Sequence, residues 1–384
     1  MTSSKQVKTG VSLSLSLSDL HTARLSEIHR LYNDSKLFSA SRILSSLEGE
    51  LEANDAKCTT AELKALEAAL ATPFFARLRR ECEEAQQLRI LLEDRQGWTL
   101  SYNGSETRVW YRREPGMQSH SILTEGIIRA PLLNVAALMY EADLYERLFW
   151  YVISAVQLPL PEPGRLKRAA HITAYAPWPL FNRDIALNAY AIDGLDEEEP
   201  CFMVVSRSLQ EHDGVVEPES ESRVVRVHMH NSGFELLPVS PGVVTARFLY
   251  NIDPHLAFLP TALINWAART LCRWSLRTLE SRARDLSKMP KEYEERLATA
   301  EVYDYLGKRL NGYWLSKGIS KEDARAQEQR AARISVQSDN FNPDDAPSGP
   351  PTSVMTSMVR GEPSGQPSRI KKSLARLWQS GNAH

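Results

Sequence analysis

Apolar residues recur along this chain in two rhythms, and the change between them falls at Gly97-Trp98. Before that point the spacing is three and four. Leu20, Leu25, Ile28, Leu31 and Tyr32 make one stripe, and Leu37, Ile43, Leu44, Leu47 and Leu51 a second. Leu63, Leu66 and Leu70 make a third, and Phe74, Phe75, Leu78, Leu88 and Leu92 a fourth. A helix turns once in about 3.6 residues, so each stripe lies on one helical face. Four helices with short loops are therefore predicted over 18–94. Ser18 or Asp19 caps the first, Thr60-Ala61-Glu62 starts the third, and the fourth begins near Pro73. Taken alone, this region reads as a structural appendage, with a protein partner on these helices as the alternative.

Beyond Gly97 the period becomes two, the signature of strands with one buried face. Strands are predicted at 98–102, 107–112 and 121–129, with Asn103-Gly104 as the first turn. A helix starts at Pro131 and runs through Leu133, Ala137, Leu138 and Leu144. A proline-rich connector at 158–164 precedes further strands at about 165–176, 184–192, 201–209, 223–230, 233–238 and 243–252. One long helix then begins after Pro260 and runs to about Asp285. Its inner face carries Leu263, Ala267, Thr270, Leu271 and Trp274, with Trp266 beside them. Arg269, Arg273, Arg277, Arg282 and Arg284 fall mostly on the other sides. The predicted fold class is α+β, a curved antiparallel sheet closed by this helix around a deep pocket. Alternation assigns the inward strand positions: Ala170, Ile172 and Ala174; Ile185, Leu187 and Ala189; Met203 and Val205; Val225, Val227 and Met229. Such a wall is apolar and soft, suited to a greasy ligand rather than to catalysis.

Two stretches carry a resemblance. Pro177-Trp-Pro-Leu-Phe-Asn-Arg183-Asp184 lies between two strands. Asp253-Pro254 and Leu259-Pro260 lead into Leu263-Ile-Asn-Trp-Ala-Ala268 at a matching distance downstream. These motifs resemble the START family of lipid-transfer domains, nearest in motif to its phosphatidylcholine transfer protein, over about residues 85–287. The resemblance implies a helix-grip fold: a curved antiparallel sheet, two Ω loops and a C-terminal helix around one lipid. It implies lipid binding or transfer between membranes, no catalytic residues and no cofactor. Departures are informative. Ala170 and Ala189 stand where sterol-binding members carry an acid and an arginine. Leu148 and Phe149 stand at a Trp-Asp pair of the phosphatidylcholine binder, and Ile172 and Ile185 at its choline-caging aromatics. The resemblance thus implies a lipid other than phosphatidylcholine.

Composition changes this picture little. Of the 384 residues, 42% are hydrophobic and 24% charged, ordinary values for a globular chain, and the net charge of −2 creates no global field for nucleic acid. Four scattered cysteines without a CxxC pair argue against a zinc site and a disulfide framework, and for a reducing, cytoplasmic setting. No run of 18 apolar residues exists, so no transmembrane helix is predicted. His228-x-His230 lacks a third ligand, and the acidic run Asp196-Glu197-Glu198-Glu199 reads as a solvated loop. Arg183 beside Asp184 reads as a loop pin. GxSxG, HExxH, Walker A and GxGxxG motifs are absent.

The ends read separately. Residues 1–17 are expected to be a disordered leader, 95–287 the lipid-binding domain, 288–334 a helical extension and 335–367 a disordered linker. In 368–384, Ile370, Leu374, Leu377 and Trp378 share a helical face flanked by Arg369, Lys371, Lys372 and Arg376. That pattern fits a peripheral membrane anchor, with Trp266 as a second membrane contact. The leading expectation is a non-enzymatic lipid carrier. The alternatives are a grip-fold enzyme of cyclase or hydrolase type and an adaptor with a vestigial pocket.

Overall fold

The computed structural model describes residues 18–53, 58–161, 164, 166–176, 180–255, 261–336, 341 and 343. Four helices come first: α1 (Asp19–Asn33), α2 (Leu37–Glu52), α3 (Thr60–Leu70) and α4 (Pro73–Glu93). Their starts follow from local chemistry. The Ser18 hydroxyl accepts from the His21 amide at 3.2 Å, Thr59 and Glu62 form a reciprocal capping box, and Pro73 opens α4 where no N–H is needed.

The strands follow as β1 (Thr99–Asn103), β2 (Thr107–Arg113) and β3 (His120–Ile128). Helices α5 (Leu132–Tyr140) and α6 (Tyr145–Leu148) lead to β4 (Val152–Leu158). Next come β5 (Lys167–Ala174), β6 (Asn182–Gly194), β7 (Cys201–Ser208), β8 (Val224–Arg226), β9 (His228–Met229), β10 (Ser232–Ser240) and β11 (Val243–Asp253). All belong to one curved sheet of order β1-β2-β3-β11-β10-β7-β6-β5-β4. Its ladders are antiparallel except for β8, which lies parallel to the first residues of β6. The segment expected as one strand over 223–230 is split. Its first half pairs with β6 and its second with β11, bridging the gap where β7 has ended and β10 has not begun.

After the sheet come α7 (Thr261–Trp266), a π-helical turn (Ala267–Cys272) and α8 (Arg273–Arg284). This α+β arrangement is a helix-grip fold. Leu276, Leu279 and Ala283 pack with Ile128, Ala246 and Leu236 on one sheet face, here termed the inner face. Gly126 on β3 permits the approach, since a Cβ there would lie 2.2 Å from a Leu276 methyl. Helices α9 (Lys291–Thr299), α10 (Glu301–Ser316) and α11 (Lys321–Val336) follow. Tyr293, Tyr303 and Leu306 extend the same core, and Arg296 clamps Glu141 and Asp143 after α5. No helix among the described residues is long and apolar enough to cross a membrane.

The N-terminal helices cover the other, outer face. Leu78, Cys82, Ala85, Leu88 and Leu92 form one core with Leu123, Tyr190, Ile192, Cys201, Met203, Val205 and Leu249. Polar ties cross the same boundary. Lys167 donates to Glu81 at 2.7 Å, Arg207 to Glu84 at 2.8 Å, and the Tyr190 hydroxyl to the Glu81 carbonyl at 2.9 Å. The reading of these helices as an appendage therefore needs correction, because they share a core with the sheet's outer face. The acidic loop after β6 is corrected too. Asp196 pairs with Lys36 at 2.5 Å and with Arg309 at 2.9 Å, and Glu197 pairs with Arg42 at 2.5 Å. Lys36 before α2, Arg42 on α2 and Arg309 on α10 thus pair the first half of the run, while Glu198 and Glu199 stay exposed as expected.

Candidate functional site

Between the inner sheet face and the C-terminal helix, packing is uneven. Around α8 and α5 the inner-face side chains, such as Ile128, Leu236, Val244 and Ala246, are fully buried. Elsewhere on the inner face, and at the end of α7 and along the π-turn, they are only half-buried. Ile122, Ile172, Leu187, Ala189, Val204 and Ile252 belong to this set on the sheet, and Trp266, Ala267, Thr270 and Leu271 on the helix.

The register decides which predicted residues meet there. Ala170, Ile172 and Ala174 on β5 pair with Leu187, Ile185 and Arg183 on β6, so Ala170, Ile172, Ala174, Ile185, Leu187 and Ala189 share the inner face. Ile185, Val227 and Met229 form a small apolar cluster against Ile172, Leu187 and Ile252. Val225, opposite Arg183, extends that side at the sheet margin. His228 is exposed and stacks edge-on with His230 at 4.8 Å, away from this cluster. Among the described residues no group of three His, Cys, Asp or Glu side chains could hold a metal.

Met203 and Val205 do not line the inner face, which corrects the sequence reading. They pair with Ile192 and Tyr190 and pack under α4. Their neighbours Phe202 and Val204 face inward instead. Residues 201–205 are apolar on both faces because both faces are covered, so alternation held no information about direction. Leu263 is buried as expected. Trp274 is buried in the packed end, edge-on to Trp150 at 6.4 Å, rather than at the half-buried end. The predicted stripe holds through Leu263, Ala267, Thr270 and Leu271, and beyond the π-turn, which adds one residue, the helix face is rotated. The inner face after the turn passes through Cys272, Ser275, Leu276 and Leu279. Leu148 and Phe149 are buried in the packed core. Residues 177–179, 256–260 and the predicted tail contacts Arg369, Lys371, Lys372, Arg376 and Trp378 lie outside the described residues.

Sequence reasoning missed four polar residues at the inner end of this space. Tyr250 on β11 stands on the inner face, opposite Ile122. It is 40% accessible, yet burial raises its hydroxyl pKa well above the usual tyrosine value, with Tyr151, Tyr145 and Cys272 as neighbours. The protein crowded around the ring raises the pKa while part of the ring stays accessible. Tyr151 shows the same pairing, half-buried with its pKa pushed to about 12 by burial, and its hydroxyl lies 3.3 Å from Ser275 Oγ. Burial also pushes the Cys272 thiol up to about 11, beside Thr124. Alternation along 243–252 was a usable signal for Tyr250. Cys272 and Ser275 carried none, because the π-turn brings them inward. A separate hollow of about 440 Å³ on α1 and α2, lined by Ala23, Arg24 and Ile43, is open to solvent and remote from this space.

Asp184 closes the sheet end nearest β8. It is 1% exposed and accepts from Arg226 Nε and Nη2 at 2.9 Å each, from Ser220 at 2.9 Å and from His171 Nε2 at 2.8 Å. Arg183 is not its partner; that guanidinium meets the Phe181 carbonyl. Burial opposes the charge on Asp184, but the bonds from Arg226, His171 and Ser220 outweigh it and hold the carboxyl at about 2. An unfolded aspartate titrates near 3.9. The carboxylate's contribution is therefore complete above about pH 4 and lost as pH falls toward about 2. Asp184→Asn is expected to flatten that part of the stability–pH curve in urea titrations from pH 6 to 2, and to cost on the order of 2 kcal/mol at pH 6. An unchanged acid limb in the variant would refute the assignment.

No protein-family model matches the chain, and no curated protein matches it. Among solved structures it is similar to human STARD10, with 14% identity over 58% of this chain and 86% of that one, at a TM-score of 0.47. It is similar to human StAR-related lipid transfer protein 5, with 14% identity over 55% and 97% of the two chains and a TM-score of 0.45. A fragment of a STAR-related lipid transfer protein from Xanthomonas axonopodis gives 17% identity, 49% and 99% coverage, and a TM-score of 0.39. Likeness at this level assigns no family, and the helix grip described above rests on the chain's own strand order and packing.

Proposed function

We propose that this protein is a non-enzymatic carrier that shields one lipid, taken up at a membrane surface, between the inner sheet face and the helix α7 to α8. One observation carries the reading. Apolar side chains on both layers remain half-buried, Ile172, Leu187 and Val204 on the sheet and Ala267 and Leu271 on the helix among them, with Tyr151 and Tyr250 beside them. An apolar space of this kind gains stability when a hydrocarbon chain replaces the missing contacts. Carriage suits the side chains better than catalysis does. The thiol facing the space has its pKa raised to about 11, which leaves little thiolate at neutral pH, and the tyrosines are held in their neutral form. Phosphatidylcholine is a poor fit, since Ile172 and Ile185 offer its headgroup no hydrogen bond and Leu148 and Phe149 lie in the packed core.

The test is loading. Purified protein is incubated with vesicles of mixed phospholipid, sterol and acylglycerol, re-isolated by gel filtration and weighed by native mass spectrometry. A one-to-one lipid adduct is expected. Ala189→Trp, which projects an indole into the half-buried space, is expected to lower the loaded fraction at least ten-fold, on the order of 1.4 kcal/mol, with the thermal midpoint nearly unchanged. An unloaded wild-type protein, or equal loading of the variant, would end the carrier reading.

A further inference from the structure

The inner end of the space is polar but uncharged. Tyr250 reaches it from β11, Tyr151 from the residue before β4, and Cys272 and Ser275 from the helix above them. These elements come from opposite sides of the sheet, so the side chains meet only in the folded protein. Their hydrogen bonding is incomplete. The Tyr250 hydroxyl has no hydrogen-bond partner among the described residues. The Tyr151–Ser275 contact of 3.3 Å is longer than the usual hydroxyl–hydroxyl bond of about 2.8 Å. Thr124 is buried, and apart from its contact with the Cys272 thiol its hydroxyl makes no hydrogen bond. The Tyr250 hydroxyl and the long Tyr151–Ser275 contact leave hydrogen-bonding capacity at the end of an apolar space, which a ligand group can take up.

The charge balance limits what that can be. Among the described residues, the groups acting on Tyr250, Tyr151 and Cys272 are tyrosine, serine, threonine and cysteine side chains, with no ionised group among them. A phosphate, carboxylate or quaternary ammonium placed there would be desolvated without a countercharge. An alcohol would pair with Tyr250 and with the spare capacity of Tyr151 and Ser275 without that cost. We infer that Tyr250, Tyr151 and Ser275 form a headgroup subsite selecting a long-chain lipid with an uncharged hydroxyl head, its hydrocarbon lying along Val204, Leu187 and Ile172. This inference rests on the carrier reading above.

Three fluorescent probes with one tail separate the two ideas: pyrenyl-dodecanol, pyrenyl-dodecanoate and pyrenyl-dodecyl-trimethylammonium, titrated into the full-length protein at pH 7.5. The alcohol is expected to bind at least about ten-fold more tightly than either ion. Tyr250→Phe keeps the ring and removes the hydroxyl. It is expected to weaken alcohol binding about five-fold while leaving the carboxylate probe and the thermal midpoint unchanged, and Ser275→Ala should shift the same selectivity in the same direction. Equal affinities for all three probes, or an ion preferred over the alcohol, would overturn the subsite but leave the carrier reading in place. So would a Tyr250→Phe protein that still prefers the alcohol as strongly as before. Binding of none of the probes would overturn both.

Discussion

Gly233→Ala is expected to cost the protein about 4 kcal/mol or more, seen as a fall in the thermal midpoint of at least about 8 °C or as loss of the cooperative transition. Gly233 sits in β10 at φ 151, paired with Val205 on one side and Leu249 on the other. A Cβ there would lie 2.0 Å from the Val204 carbonyl oxygen and 2.8 Å from a Leu88 methyl. The first of these atoms belongs to the backbone of a central strand and cannot swing aside. The substitution must break the β10–β7 pairing or lift α4 from the sheet. Circular-dichroism melts of the two proteins decide the matter, and a variant melting within about 2 °C of the parent would show that the sheet relaxes there at little cost.

A chain starting at Arg95 is expected to be insoluble or aggregated on expression. Without α1 to α4, the outer face would present Leu123, Tyr190, Ile192, Cys201, Met203, Val205 and Leu249 to water. At roughly 1.5–3 kcal/mol for each large apolar side chain, the loss is on the order of 10 kcal/mol, an upper figure because denatured chains are themselves partly collapsed. That matches the whole stability of a typical domain. Glu81 and Glu84 would leave with α4, stranding Lys167 and leaving Arg207 with the Asp213 carboxylate alone. Recovery of the truncated chain as a soluble monomer with a sharp melt would show that the helices are dispensable after all. Solubility trials and analytical gel filtration settle it.

Local rules make much of this protein legible in its sequence. Stripes spaced by three and four marked α1 to α4, since a helix of that length must bury one face. Alternation located β1 to β3, β5 to β7, β10 and β11, and put Ile172, Ile185, Leu187 and Val227 on one side, because a strand offers only two sides. It missed β4, an edge strand whose register slips between Val152 and Ser154 and which leaves Ile153 and Val156 exposed. A bulge interrupts the period, and an edge strand has less to bury.

What escaped the sequence is whatever two distant segments decide together. Met203 and Val205 turned out to face α4, because a strand covered on both sides is apolar on both sides and carries no sign of direction. The acidic loop after β6 looked like solvated charge until Lys36, Arg42 and Arg309 arrived from other elements. Asp184 stands beside Arg183 in sequence but is held by Arg226, because successive side chains on a strand point to opposite faces. A π-turn of six residues rotated the helix beyond it and added Cys272 and Ser275 to the inner face, which a 3.6-residue count did not foresee. The sequence alone determined most elements and, where one face is polar, which face is buried, because periodicity is a local property of the chain. Only the tertiary structure decided which partner each face meets, and where polar groups such as Tyr250 and Tyr151 are left enclosed together.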